Sequence, residues 1–415
     1  MEKSFRMELA GRPLIVETGK MAKQASGAVL VRYGETVVLV TSTASKEARE
    51  GMDFFPLTVD YEEKMYAVGK MPGGFLRREG RPGNSAILNA RLIDRPIRPL
   101  FDKRCRNDIH VMATVLSVDY DNAPELCGML GASASLGISD IPWDGPIAGV
   151  RVGRIDGQFV INPTQEQLKV STLNITVAGS ETAILMVEGG AQEAPEEDVL
   201  DAIMFGHKTI KELVAFQKKI IEEVGKPKRT LIFPEIPEEI KTAIYAYAER
   251  PLKEAIFNPD KLTREAHMEE VRKEAEAHFK EIYPENGSDT AECLNHLTKE
   301  IVRHMISVDK IRPDGRALDE IRPISCEVGL LPRVHGSALF TRGQTQILNA
   351  CTLAPLSEAQ KLDGLDENET SKRYMHHYNF PSFSVGETKP SRGPGRREIG
   401  HGALAERALI PVLPS

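Results

Sequence analysis

Apolar and polar residues alternate with a period of two near the start of the chain, and this pattern is typical of half-buried β-strands. The alternation covers residues 28–40, and Gly34 lies where a hairpin turn would separate two strands. Similar patterns predict further strands at 54–61, 111–120, 147–152, 158–161, 174–178 and 183–187. Helical spacing or small apolar composition predicts helices at 85–94 (ending before Pro96), 124–137 and 196–224. This order of strands and helices predicts an α/β domain with mixed sheets.

One pattern occurs twice along the chain. Residues 25–45 (ASGAVLVRYGETVVLVTSTAS) resemble residues 334–355 (VHGSALFTRGQTQILNACTLAP). Shorter pairs also correspond: Gly11-Arg12 with Gly315-Arg316, Phe55-Pro56 with Phe380-Pro381, and Arg77-Arg78-Glu79 with Arg396-Arg397-Glu398. Self-similarity on this scale predicts two tandem copies of one domain, of which the first has roughly 230 residues and the second about 100. We therefore expect copy two to be incomplete and loosely held by itself.

The composition between the two copies is charged and helix-favouring from residue 238 to about 308. A proline-marked connector, 225–237, precedes it, and we expect Pro251, Pro259 and Pro284 to break this region into short helices. The predicted domains are therefore 1–230, a helical domain at 237–310, and the second copy at 311–415. A polar stretch at 357–373 is predicted to be a loop.

The overall composition is that of a folded protein, with 41% hydrophobic and 27% charged residues. Its apolar runs have only the length of strands, which excludes a membrane helix, and the first residues do not resemble a secretion signal. Five cysteines are scattered without a C-x-x-C pair, so we expect reduced thiols in the cytoplasm rather than disulfides or structural zinc.

Charge is distributed unevenly along the chain. The net charge of −7 argues weakly against a general nucleic-acid binder. Between residues 77 and 106, however, nine basic residues stand against three acidic ones, and eight of the nine are arginine. Arginine is suited to bidentate phosphate contacts. This cluster predicts a dedicated anion site within an acidic protein.

The first candidate site is the glycine-rich segment 73–82. Phe75 offers an aromatic face for a base, and Arg77 and Arg78 offer charge for a phosphodiester backbone. Arg91 and Arg95, at helical spacing, share one face of the helix that follows. The alternative is a solvated surface loop with an accidental arginine pair; the density of arginine further along favours a binding site.

The second candidate site is the segment 383–402 in copy two. There Arg396, Arg397 and His401 could hold a phosphate dianion, with His401 as a proton donor or carrier near neutral pH. A solvated loop is again the alternative, and recurrence in both copies favours function.

Other motifs are weak or absent. The sequence lacks G-x-x-x-x-G-K-[ST], G-x-S-x-G and H-E-x-x-H. His376 and His377 are adjacent and would point apart on a strand, while Asp119 and Asp121 suit a turn at the end of a strand. The residues by themselves therefore indicate no metal site.

Several long motifs together resemble the bacterial polynucleotide phosphorylase family. They are FFPLTVDYEEKMYAVGKMPGGFLRREGRP, ARLIDRPIRPLF, RPDGR, HGSALFTRGQTQ, HHYNFPSFSVGE and RREIGHG. The resemblance runs from end to end of the chain. It implies two ribonuclease PH-like domains (ribosomal protein S5 domain 2-like) separated by an all-α domain, with the second α/β domain truncated. It also implies a cytoplasmic, ring-shaped homotrimer that takes part in mRNA decay and binds neither DNA nor membranes.

The activity implied by the resemblance is phosphate-dependent, reversible 3′-to-5′ degradation of single-stranded RNA, which releases nucleoside diphosphates. The family's RNA-gripping loop corresponds to Phe75, Arg77 and Arg78, with Leu76 where the family often has a second aromatic residue. Arg91 and Arg95 match arginines implicated in phosphate or RNA contact. The family's catalytic basic segment corresponds to Arg396, Arg397 and His401.

Magnesium and inorganic phosphate are the small partners that the resemblance implies. The family's metal-binding aspartates and phosphate-binding serines would fall after Ser415, so we expect no metal ligand and negligible activity in these 415 residues. A non-catalytic RNA-binding ring subunit is the alternative function.

Overall fold

The structure, a computed structural model, describes residues 2–48, 54–231, 233, 235–365 and 370–414. The chain divides into two compact units. The first unit comprises Met1–Ile232 and Pro355–Ser415, and the second comprises Phe233–Ala354. Copy two is thus divided, because its first strands belong to the second unit and its last helix to the first.

The first unit begins with a six-stranded sheet. Its strands are β1 (Lys3–Leu9), β2 (Arg12–Thr18), β3 (Gly27–Tyr33), β4 (Thr36–Ala48), β5 (Leu57–Glu63) and β6 (Asn107–Ser117). Their order is β1-β2-β3-β4-β6-β5, and only β5 and β6 run parallel. The predicted hairpin is confirmed, since Gly34 joins β3 to β4 at φ +57°. A Cβ at Gly34 would also lie 2.4 Å from Asn122 Nδ2, so the turn requires glycine for two reasons.

A second, four-stranded antiparallel sheet lies in the same unit. It has the order β10-β9-β7-β8 and comprises β7 (Ala148–Ile155), β8 (Gln158–Ile161), β9 (Leu173–Gly179) and β10 (Ile184–Ala191). The helices are α1 (Asn84–Ile97), α2 (Pro124–Ile138), α3 (Gln165–Val170) and α4 (Glu196–Val224). The predicted bounds of α4 and β8 are confirmed to the residue, and the other predicted elements in this part are present with shifted ends.

Helix α2 is the centre of this unit, and it packs against β3, β4, β6, β7, α1 and α4. All of its residues from Glu125 to Ile138 are buried. Its small residues let the sheet approach closely, since a Cβ at Gly131 would lie 2.4 Å from Val40 Cγ2 and 3.1 Å from Val31 Cγ2. The glycine- and alanine-rich sequence of α2 is therefore a packing requirement.

Replacing Gly131 with alanine is expected to destabilise the first unit. Overpacking costs about 1–3 kcal/mol, and it opposes a gain of about 1 kcal/mol in helix propensity. The free energy of unfolding can be followed by the fluorescence of Trp143, the single tryptophan, which is buried in this unit. Gly80→Ala is the control, because a Cβ there would meet nothing within 4 Å. Equal stability of the two variants would contradict the close packing of α2.

The second unit contains three helices and a small sheet. They are α5 (Glu238–Ile256), α6 (Lys261–Ile282), α7 (Gly287–Ser307), β11 (Ile324–Val328), β12 (Gly336–Arg342) and β13 (Thr345–Cys351). The three helices share an apolar core that includes Ile244, Leu252, Phe279 and Leu297. Strands β11, β12 and β13 form an antiparallel sheet in that order.

The remaining elements of the first unit come from the end of the chain. They are β14 (Gln360–Lys361), β15 (Ser371–Lys372) and α8 (Arg396–Leu409). Most of the predicted loop at 357–373 lacks regular structure, apart from the two short strands and a 3₁₀ turn at Leu356–Glu358; residues 366–369 of it lie outside the described residues.

Two expectations about proline are wrong. Helix α1 continues through Pro96 and ends at Ile97, and α5 continues through Pro251. A proline inside a helix removes one backbone hydrogen bond. Burial offsets that loss, because Pro96 and Ile97 are both buried, as is Leu252 after the second proline. Pro259 and Pro284, in contrast, do lie between helices.

Candidate functional site

The first candidate segment is an exposed loop in copy one. A 3₁₀ turn at Met65–Val68 ends at Gly69, and no regular element follows until α1 begins after Gly83. Phe75 is fully exposed and Leu76 is 82% exposed. Arg77 has φ +47°, an uncommon conformation for a residue other than glycine. Within the described part of the chain, neither Arg77 nor Arg78 has an ion-pair partner, so both guanidinium groups are available to an anion.

Glu79 fixes the base of this loop. Its Oε1 accepts a hydrogen bond from the backbone N–H of Met65 at 2.9 Å, and its Oε2 lies 3.5 Å from Lys64 Nζ. Residues 75–78 project from this anchored base, so an aromatic ring and two arginines are presented together.

Arg91 and Arg95 are confirmed as neighbours on one face of α1, but that face packs against α8. Arg95 pairs with Glu188 of β10 and donates to the carbonyl of Val187 at 3.2 Å. Arg407 of α8 pairs with the same Glu188 at 3.1 Å. Glu188 therefore ties α1 to α8 through one arginine from each copy.

Arg91 lies against the backbone of α8. A Cβ at Gly400 would be only 2.6 Å from Arg91 Nε, so glycine at this position lets the guanidinium approach. Arg91 thus lies directly against copy two, whereas Arg95 is linked to copy two only through Glu188 of copy one.

The second candidate segment does not have the predicted conformation, because its last part forms the start of helix α8. Arg396, Arg397 and His401 lie on a helix and not in a glycine-rich loop. The capping residue is Gly395, whose N–H donates to Glu398 Oε2 at 2.6 Å; the N–H of Phe380 donates to Oε1 at 2.8 Å. These hydrogen bonds from Gly395 and Phe380 lower the pKa of Glu398. A glycine followed three residues later by glutamate was the available sequence signal for this helix start.

The structure also changes the correspondence between the copies. Helices α1 and α8 each have 14 residues, follow a glycine, and lead into a three-residue 3₁₀ helix. Aligning them places Arg396 and Arg397 opposite Asn84 and Ser85. The predicted equivalence of Arg396-Arg397 with Arg77-Arg78 is therefore wrong, and Arg95 corresponds to Arg407. The two arginine pairs are separate features of the two copies.

Arg396 is held by copy one. Its Nη1 donates to the carbonyl of Val59 at 2.7 Å, and its Nη2 pairs with Asp60 of β5. The second carboxylate oxygen of Asp60 lies 2.9 Å from His110 Nε2 of β6. Partial burial tends to raise the pKa of Asp60, but the hydrogen bonds from Arg396 and His110 outweigh it and leave that pKa below its usual value.

Arg397 and His401 occupy another face of α8, four residues apart. Arg397 is exposed, and within the described residues it has no ion-pair partner. The His401 ring meets the Tyr378 ring edge to face, with 5.1 Å between centroids. The segment that carries Tyr378 passes close to α8 at Gly402, where a Cβ would lie 3.1 Å from the carbonyl oxygen of His376. Of the three predicted catalytic residues, Arg397 is therefore exposed, His401 is half-buried against Tyr378, and the guanidinium of Arg396 is already paired.

The described residues do not offer a metal site. No group of three or more histidine, cysteine, aspartate or glutamate residues among them could hold a metal ion. Asp119 accepts hydrogen bonds from the Glu35 N–H and the Asn122 side chain, as expected of a turn residue. Among the described residues, no helix is long and apolar enough to cross a membrane.

Comparison with known families now identifies the class of protein. Residues 10–142 and 320–415 match domain 1 of the 3′ exoribonuclease family, and residues 145–209 match its domain 2. The chain belongs to the 3′ exoribonuclease family. Residues 239–317 match a family described as "Polyribonucleotide nucleotidyltransferase, RNA binding domain". The predicted fold class, two ribonuclease PH-like domains with a helical segment between them, is confirmed.

Individual members of the family show how similar this chain is to known proteins. The chain is 61% identical over 99% of its length to a polyribonucleotide nucleotidyltransferase of Heliobacterium modesticaldum. It is 60% identical over its whole length to a protein of the same name from Syntrophomonas wolfei. It spans 58% and 59% of the lengths of these relatives. The predicted resemblance to bacterial polynucleotide phosphorylase is confirmed.

A solved structure, that of rice (Oryza sativa) Rrp46, is a more distant match. It covers 53% of this chain and 94% of its own, with 14% identity and a TM-score of 0.40. That likeness is too weak to support a conclusion about this chain.

Proposed function

We propose that this chain is part of a phosphorolytic 3′ exoribonuclease that releases nucleoside diphosphates from single-stranded RNA. The observation that carries the proposal is that copy one exposes Phe75 and Arg77 on one loop, whereas copy two has Arg397 and His401 on a helix. The names of the relatives and of the family matched by residues 239–317 support RNA as the partner. We further propose that it works as a homotrimer in the cytoplasm, acts in mRNA decay, and binds no DNA.

In the proposed reaction, an oxygen of inorganic phosphate attacks the phosphorus of the last phosphodiester bond. The bond to the 3′-oxygen of the preceding nucleotide breaks, so the terminal nucleotide leaves as a diphosphate and the RNA is one residue shorter. Arg397 binds the attacking phosphate, and its fixed charge offsets part of the repulsion between two anions. His401 donates a proton to the departing 3′-oxygen.

A divalent ion supplies further charge neutralisation when it is bound in such a reaction. Since the described residues contain no group of three or more histidine, cysteine, aspartate or glutamate side chains that could hold a metal ion, we assign no step of the mechanism to magnesium. Arg396 is not assigned a direct contact with phosphate, because Asp60 and Val59 occupy its guanidinium group.

The proposal predicts that the 415-residue chain binds phosphate but releases almost no product. Arg397→Ala is expected to weaken the binding of inorganic phosphate about tenfold or more, because a charge-assisted contact is lost. Isothermal titration with phosphate measures this. Arg250→Ala, which removes an exposed arginine on α5, is the control for net charge.

The second measurement is the release of nucleoside diphosphate from single-stranded RNA with magnesium and phosphate present. Negligible release by this chain is expected. Rapid release would show that these 415 residues suffice for the chemistry. RNA binding without phosphate binding at Arg397 would instead favour the alternative, a non-catalytic RNA-binding subunit.

A further inference from the structure

Asp60 lies where copy one meets the start of α8. It belongs to β5, which among the described strands lies at the edge of the six-stranded sheet and pairs with β6. In the register of β5 and β6, Thr58 lies opposite His110, and Asp60 follows two residues later on the same face of β5. His110 is therefore close enough to donate a hydrogen bond to the outward-facing carboxylate of Asp60. Both carboxylate oxygens are thereby used, one by His110 and the other by Arg396.

Arg396 is the first residue of α8, so its side chain anchors the helix at its N-terminal end. Val59 and Asp60 hold the guanidinium from the copy-one side. Glu398 holds the same turn from the other side through the N–H of Phe380. The first turn of α8 is thus held by β5 through Arg396 and by the loop residue Phe380 through Glu398. Arg397 lies between Arg396 and Glu398 in the sequence.

We propose that Asp60 is a positioning residue for the copy-two site: through Arg396, it fixes the first turn of α8 so that Arg397 and His401 face the phosphate together. This inference rests on the proposed function. Asp60 lies on the sheet of copy one, whereas the residues that it positions, Arg397 and His401, lie in copy two. His110 supports the same geometry by holding the second oxygen of the carboxylate.

Simple electrostatics predicts the opposite effect of removing Asp60. A carboxylate near an anion site repels phosphate, so neutralising it should tighten phosphate binding. Phosphate binding should also become tighter if Arg396 is itself a phosphate ligand that pairs with Asp60 when no phosphate is bound, because the loss of the carboxylate would release its guanidinium. A loss of phosphate affinity on neutralising Asp60 is therefore specific to the positioning role.

The experiment measures the affinity of the 415-residue chain for inorganic phosphate by isothermal titration. Asp60→Asn keeps the shape of the side chain but loses the charge, and we expect affinity to fall about tenfold, because small misplacements of binding groups are costly. Arg396→Gln should weaken binding to a similar extent, and the double variant should be no weaker than either single variant. Asp60→Glu should recover part of the affinity.

Glu62→Gln is the matched control. Glu62 lies on the same strand, and it pairs with Lys64 at 2.6 Å rather than with α8. Its affinity for phosphate should stay within about twofold of the wild type or rise slightly, as charge alone predicts. Amide hydrogen exchange at residues 396–399 should be faster in Asp60→Asn and unchanged in Glu62→Gln.

The outcomes are distinct. If Asp60→Asn binds phosphate as tightly as the wild type or more tightly, while Arg397→Ala binds it weakly, the positioning role is overturned and the proposed site stands. If Arg397→Ala and the wild type bind phosphate equally, the proposed copy-two site fails, and with it the role of Asp60. If Asp60→Asn does not fold, Asp60→Glu decides the question, because it keeps the charge and displaces the carboxylate from Arg396: affinity below that of the wild type supports the positioning role, and an affinity equal to that of the wild type or higher overturns it.

Discussion

Replacing Arg77 and Arg78 together with alanine is expected to weaken the binding of every single-stranded RNA and to flatten its salt dependence. Both guanidinium groups project from an anchored loop without ion-pair partners among the described residues. Each lost phosphate contact removes about 0.7 from the slope of log affinity against log salt for a single strand, so the double variant should lose about 1.4. Titration of a fluorescent RNA at several salt concentrations measures the slope.

Phe75 is expected to contribute differently, by stacking on a base. Its ring is fully exposed. Phe75→Ala should cost about 1–3 kcal/mol of binding free energy with the salt slope nearly unchanged. Met71→Ala, which removes an exposed apolar side chain outside residues 75–78, is the control for general surface change and should have little effect.

A double variant of Lys20 and Lys23 controls for net charge, because both lysines are exposed and lie between β2 and β3. It should change the slope less than the loss of Arg77 and Arg78. An unchanged slope in the double arginine variant would mean that the segment is only a solvated surface loop.

The second large effect is expected in copy two, where the sheet of β11, β12 and β13 should exchange its amide hydrogens quickly. In copy one, Val38 and Val40 of β4 are fully buried, and β4 packs beneath α2. In copy two, the corresponding hairpin leaves Ile347 51% and Leu348 58% exposed. Every described residue of β13 is exposed.

We expect exchange in β12 and β13 to be faster than in β3 and β4 by a factor of about 10³ or more, because exchange follows the free energy of local opening. Proteolysis should cut first within about 324–353 for the same reason. Helix α8 should resist, since Arg396 and Arg407 tie it to the first unit. Strands β3 and β4 provide the control within the same molecule, and equal protection of the two hairpins would contradict this prediction.

This expectation refines the one made from the sequence, in which all of copy two was loosely held. The exposed apolar side chains of β13 support that expectation for β11–β13. It does not apply to α8, which contacts α1 of the other copy. The looseness of β11–β13 remains a prediction for the exchange measurement.

The amino-acid sequence by itself determined the local elements, the duplication and the family. The period of two in 28–40 and Gly34 specify the first hairpin, and the apolar spacing in 196–224 specifies α4 to the residue. These features depend on contacts between residues near in sequence, which the pattern records directly. The long motifs also determined the family, because many consecutive residues match those of the family in the same order along the chain.

The tertiary structure decided which basic residues remain free. From the sequence, Arg396 and Arg397 are equal neighbours, and Arg91 and Arg95 belong with the RNA-binding loop. Only the fold brings Asp60 next to Arg396, which is 336 residues away in the sequence. It also places Glu188 between Arg95 and Arg407, and Arg407 is 219 residues from Glu188. Ion pairs of this kind leave no periodic signal, because they depend on how whole helices cross. For the same reason, burial kept Pro96 and Pro251 inside helices that local rules would have ended.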